Sequence, residues 1–143
     1  LVEELKLGSW REKEGNLFIK ANVFSVETIL IKPQRFMNLS GETAAPLIRF
    51  FQVPVENVIV VHDELDLAVG TVRIKKGGGS GGHNGVEDCI RHFGTPDFLR
   101  IRIGIGRPGD LTASESQVPA NHGKISDWVL SPPRPEDEVL LRN

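Results

Sequence analysis

The sequence predicts an α/β domain, and three observations carry that prediction. The run Val58-Ile59-Val60-Val61 is unbroken and β-branched, the composition of a central strand covered on both faces. Two further segments alternate: Val72 and Ile74 against Arg73 and Lys75, then Ile101, Ile103 and Ile105 against Arg100, Arg102 and Gly104. Helical spacing appears at Ala44, Leu47, Ile48 and Phe51, and again over Val86 to Phe93. With 143 residues, 39% hydrophobic and 25% charged, the chain is expected to form one soluble domain able to bury a core.

The elements follow in order. Leu1 to Leu7 reads as the tail of a helix closed by Gly8. Leu17, Ile19, Ala21 and Val23 alternate on one strand and Glu27 to Lys32 forms the next, an antiparallel hairpin around Ser25. Phe36-Met37-Asn38 occupies a loop before a helix in which Thr43 would be the N-cap, leaving Pro46 in a first turn whose N–H groups have no intrahelical partner. The buried run at Val58 stops at His62-Asp63-Glu64, which places Asp63 at the carboxyl end of a strand, where α/β sheets hold ligands. Asp63, Glu64 and Asp66 would equally make a solvated turn.

Gly70 turns the chain into the strand Thr71 to Lys75, with Val72 and Ile74 toward the core and Arg73 and Lys75 away from it. The loop GGGSGGHNG follows, rich enough in glycine for another molecule to press against its backbone. His83 and Asn84 then sit at a helix N-terminus, where free N–H groups favour an anion or oxyanion, although Asn84 alone reads as an ordinary helix cap. Gly77, Gly79 and Gly82 satisfy G-x-G-x-x-G, but a dinucleotide loop follows a buried apolar strand, whereas this one follows Arg73, Lys75 and Lys76. Arg102 points opposite to the core face of the last strand. Leu111 to Gly123 is a polar loop, Ile125 to Leu130 a short helix or turn stopped by Pro132-Pro133, and Glu136-Asp137-Glu138 opens a further helix.

The net charge of −2 hides an asymmetry. From Arg73 to Arg107 there are seven basic residues against three acids, while from Asp110 onward six acids face three bases. A local basic patch on an acidic protein suits a defined phosphate contact rather than general coating of nucleic acid, though the same residues could be solvated strand edges. One cysteine, Cys89, reads as a small core residue of a reducing compartment. Four scattered histidines without C-x-x-C or H-x-x-x-H give no metal site, and we expect no cofactor. No apolar stretch approaches a membrane span and the start lacks the pattern of a signal peptide, so a cytoplasmic protein is expected; a monomer is expected separately, on no motif of its own.

Four blocks in one order, FMNLSGE at Phe36, VVHDELDL at Val60, GGGSGGHNG at Gly77 and LRIRIGIGRPGD at Leu99, with an echo in WVLSPP, resemble the bacterial-type peptidyl-tRNA hydrolase family along most of the chain. The resemblance implies a three-layer α/β sandwich, with a mixed, mostly parallel twisted sheet and helices on both faces. It implies cleavage of the ester between a peptidyl group and the terminal ribose of tRNA, with a histidine as general base for water and Asp63 orienting that histidine. It also implies that Phe36, Asn38, His83 and Asn84 hold the substrate, and that Lys75 and Arg102 clamp the tRNA 5′ phosphate. The family's G-x-G-N-P-G turn and its T-x-H-N-x-G segment with the base are expected upstream of Leu1, so the sequence reads as incomplete at both ends; His62, His83, His92 and His122 do not match the base. A non-catalytic RNA-binding relative of the same fold, and a dinucleotide-binding domain, remain the alternatives.

Overall fold

The computed structural model describes residues 2–107, 125–133 and 135–142, so the polar loop from Leu111 to Gly123, with His122, lies outside the described residues. The chain divides into two units, Leu1–Val58 with Gly77–Phe98 and Ile59–Lys76 with Leu99–Asn143.

The first unit begins with turns over Val2 to Lys6, not the helix expected there; seven residues are too few to sustain an isolated helix, and Lys6 is left-handed at φ 51°. Three antiparallel strands follow, β1 Arg11–Lys13, β2 Asn16–Val23 and β3 Val26–Pro33. Both connections are two-residue turns with two positive φ values, Glu14-Gly15 and Phe24-Ser25, the geometry that matches the twist of paired strands. The hairpin around Ser25 is as expected, whereas β1 carries no apolar alternation by which it could have been found.

A 3₁₀ turn, Met37–Leu39, runs directly into α1, Ser40–Phe50. Thr43 is therefore not the N-cap: the helix starts three residues earlier, Thr43 Oγ1 donates to Leu39 O at 2.6 Å, and Pro46 lies inside the helix, where it leaves a carbonyl without its usual donor. Helix α2, Asn84–Phe93, ends at Gly94, left-handed at φ 77°, whose N–H donates to Ile90 O. The buried apolar residues of the described chain, Phe18, Ile19, Ala44, Ala45, Leu47, Ile48, Val86, Cys89 and Phe98, all belong to this unit. Cys89 is a buried free thiol. At the helix contact Gly41 has no room for a side chain, because a Cβ there would strike the backbone of Asp88 and Cys89.

The second unit holds β4 Ile59–Glu64, β5 Val72–Lys76 and β6 Leu99–Gly104 in the order β4-β6-β5, with β4 parallel and β5 antiparallel to β6. The sheet is mixed and the class is α/β; where a mostly parallel sheet was expected, β4–β6 is the one parallel pairing among the described residues. Two expectations are corrected here. The central strand is β6, and β4 lies at an edge of this sheet with Ile59 and Val61 more than half exposed. Val72 and Ile74 do alternate with Arg73 and Lys75, yet all five residues of β5 are exposed, while Arg100, on the face read as pointing outward, is 2% exposed. Periodicity assigns residues to a common face but does not say what covers it.

Short helices complete the unit, α3 Ile125–Leu130 and α4 Pro135–Arg142. Trp128 of α3 donates from Nε1 to Ile105 O and Gly106 O, just beyond β6. No described helix is long and apolar enough to cross a membrane.

Candidate functional site

The predicted site residues fall into two groups, one in each unit. In the first, the 3₁₀ turn carrying Asn38 packs against the first turn of α2. The contact depends on Gly85, where a Cβ would lie 2.6 Å from Met37 Sδ. Asn38 and Asn84 each adjoin that Met37–Gly85 contact in sequence, and Phe36, 81% exposed, leads into the turn. Both asparagines are exposed, and neither side-chain amide has a hydrogen bond among the described residues.

His83, not Asn84, is the N-cap of α2. Its Nδ1 accepts from Val86 N–H at 3.2 Å, which requires the ring proton on Nε2, and Asn84 becomes the first helical residue. The ordinary-cap reading of Asn84 is thus displaced: the imidazole satisfies the free N–H, and the Asn84 amide is left to face outward. Gly78, Gly79, Gly81 and Gly82 are exposed, as the composition suggested, whereas Gly77 is buried with its Cβ position 3.2 Å from Asp97 Oδ1.

Asp63 lies within β4 and not beyond its end, half-buried and level with Ile103 of β6, which is level with Val72 of β5. By the same register Glu64, Arg102, Lys75, Arg73 and Arg100 occupy the other face of this sheet. The carboxylate expected to do chemistry and the cations expected to hold phosphate are therefore on opposite faces. His62 also faces away from Asp63, as alternation required, and its Nδ1–H donates to the Asp63 carbonyl at 2.7 Å.

The acidic stretch is neither a cluster of three equivalent groups nor a simply solvated turn. Glu64 Oε2 accepts from Arg102 Nε at 3.0 Å and Nη2 at 2.9 Å, and its Oε1 accepts from Asp66 N–H at 3.1 Å. Burial pushes the Glu64 carboxyl up, but the Asp66 N–H, the Arg102 hydrogen bonds and the guanidinium charge outweigh it and hold the group below the usual carboxylate range. Asp66 in turn accepts from Arg107 Nε at 2.8 Å. The loop after β4 lies flat on the end of β6 because Gly104 has no side chain, and is stitched there by Ile105 N–H to Glu64 O and Gly106 N–H to Leu67 O.

Sequence reasoning placed Lys75 and Arg102 on one face, and the register agrees: Arg73 is opposite Arg102 and Lys75 opposite Arg100, so Lys75 and Arg102 are diagonal neighbours. It missed Glu64 as the partner of Arg102, which lies 38 positions away along the chain. It also missed Asp88, a buried carboxylate whose Oδ2 accepts from Glu42 N–H at 2.9 Å and whose Oδ1 meets Arg91 and His92. The i+3 and i+4 spacing from Asp88 was a legible signal. Among the described residues no group of three His, Cys, Asp or Glu side chains is placed to hold a metal ion.

Comparison with known proteins points the same way. A peptidyl-tRNA hydrolase from Sorangium cellulosum is 42% identical over 92% of this chain and 55% of its own length, and one from Geobacillus thermodenitrificans is 48% identical over 83% and 58%. The chain thus spans a little over half the length of these curated relatives. A crystal structure of peptidyl-tRNA hydrolase from Acinetobacter baumannii superposes with a TM-score of 0.82 at 33% identity, covering 99% of this chain and 68% of that one. The peptidyl-tRNA hydrolase family model matches residues 1–143, end to end through both groups of site residues, and the chain belongs to that family.

Proposed function

We propose that the protein hydrolyses the ester between the peptide and the terminal ribose of peptidyl-tRNA, releasing free tRNA and peptide. The observation that carries this reading is the family match across the whole chain. A histidine acts as general base and takes a proton from water. Asp63 orients that imidazole and stabilises the imidazolium it becomes, as a buried carboxylate does in triad chemistry. Asn38 and Asn84, whose side-chain amides are exposed, hold the peptide backbone and polarise the carbonyl, with Phe36 and His83 close to them in sequence. Lys75 and Arg102 take the tRNA 5′ phosphate from the other face of the sheet that carries Asp63. Peptidyl-tRNA in the cytoplasm, met by a monomer, fits an acidic chain with one local cationic face.

The test is peptide release from peptidyl-tRNA by the natural full-length protein and its Asp63→Asn variant. Turnover is expected to fall by about 10²-fold or more with a smaller change in KM, since the amide keeps the shape but loses the charge. Asn38→Ala and Asn84→Ala should raise KM as well as lower kcat. Tight RNA binding without any peptide release by the parent protein would favour the non-catalytic relative instead.

A further inference from the structure

On the sheet face opposite Asp63, the β5–β6 register sets Arg73 against Arg102 and Lys75 against Arg100. Like charges directly across a ladder are unfavourable, so such an arrangement persists where an anion offsets it. One carboxylate on this face does so from within the chain. Glu64, near the end of β4, is level with Gly104 and lies diagonally beside Arg102. It grips one edge of the guanidinium through Nε at 3.0 Å and Nη2 at 2.9 Å, leaving Nη1 without a protein partner among the described residues. Glu64 is itself held: Oε1 accepts from Asp66 N–H, and its backbone carbonyl from Ile105 N–H.

We propose that Glu64 is a positioning residue of the RNA-phosphate site, fixing the Arg102 guanidinium so that its free edge meets a terminal phosphate together with Lys75. The inference rests on the reading of Lys75 and Arg102 as phosphate ligands. Its physical basis is that a free arginine surrenders rotamer freedom when it binds, whereas this one has surrendered it in folding. Both Glu64 oxygens are in use, so the geometry requires a carboxylate. Glutamine keeps an acceptor at only one of these two positions and sets an NH2 donor at the other, facing either the guanidinium or the Asp66 N–H.

The alternative role, that Glu64 is merely a counter-charge competing with phosphate, predicts the opposite sign. Removing a competing carboxylate strengthens the attraction of the site for every phosphate, and most for the terminal monoester, which carries nearly two charges at neutral pH. Removing a positioning group makes the terminal phosphate harder to recognise. The experiment measures binding of an acceptor-stem RNA hairpin with and without a 5′ phosphate, at fixed ionic strength, for the protein and its Glu64→Gln and Glu64→Ala variants, with melting temperatures confirming folding. Preference for the phosphorylated hairpin should fall about tenfold in Glu64→Ala, with an intermediate loss in the isosteric Glu64→Gln. A preference equal to or greater than the parent's in the folded variants overturns the proposal and leaves Glu64 a counter-charge. Lys75→Ala and Arg102→Ala in the same assay separate the two readings: if neither reduces the preference, the phosphate site itself is wrong, and the role of Glu64 falls with it.

Discussion

Asp88 shows what a single buried charge does in this protein. Burial raises its pKa, yet the Glu42 N–H, the Arg91 hydrogen bond and the charges of His92 and Arg91 prevail and hold it below the ordinary carboxylate value. A depressed folded-state pKa means stability that is fully present above the unfolded value of about 3.9 and is lost as the pH falls through the folded one. Asp88→Asn should therefore cost about 1–3 kcal/mol near neutrality, because the amide cannot satisfy two donors and a cation as the carboxylate does. The gap between the two proteins' unfolding free energies should narrow below about pH 4. A gap constant from pH 7 to pH 3 would show that the negative charge is not its source. The residue was visible as an acid with basic neighbours three and four positions on; its tie to α1 through the Glu42 backbone, 46 positions away, was not.

At the scale of elements, close approach is set by glycines whose neighbours are backbone and cannot swing aside. Gly41 lets α1 touch α2, and adding a methyl group would drive the helices apart at Asp88 and Cys89. Gly41→Ala is expected to destabilise by about 1–3 kcal/mol or more, the cost of overpacking, and to lower the melting temperature. Gly79→Ala serves as the control, since nothing lies within 4 Å of its Cβ position and its φ is not left-handed. Similar melting temperatures for the two variants would contradict the tight helix contact. Both glycines sit in segments where their residue type looks equally plausible as loop composition, so the difference between them belongs to packing alone. Thr43 makes the complementary point: its local capping signal was overridden once the 3₁₀ turn at Met37 supplied an earlier helix start.

For the whole molecule, a net charge of −2 coexists with a sheet face that carries the exposed Arg73 and Lys75 and the half-buried Arg102, while Arg100 on the same face is buried. RNA binding through such a face should be strongly salt-dependent, and each cation removed should flatten the slope of log K against log salt by about one unit. Under the proposed activity, Lys75→Ala with Arg102→Ala in the natural full-length protein should raise KM with little change in kcat and make turnover indifferent to the 5′ phosphate of peptidyl-tRNA, because phosphate binding is the same in ground and transition states. A double variant that still distinguishes the two tRNAs would locate tRNA recognition elsewhere.

The sequence by itself determined the α/β class, the hairpin at Ser25, the helical face of Leu47 and Ile48, and the placing of Lys75 and Arg102 each on the side of its strand opposite the isoleucines, because these follow from local periods of two and 3.6 residues, whereas the pairing of the two cations came from the family resemblance. Its ordered blocks were also enough to suggest the family. Tertiary structure decided that β6 is the central strand, that β4 is an edge strand with Asp63 inside it, and that Arg100 is buried while Ile74 is exposed. It alone decided that His83 caps α2 and that Glu64 holds Arg102. A period fixes which residues share a face. Strand order, coverage of a face and the partner of a charge depend on residues tens of positions distant, and these are settled only when the chain has closed on itself.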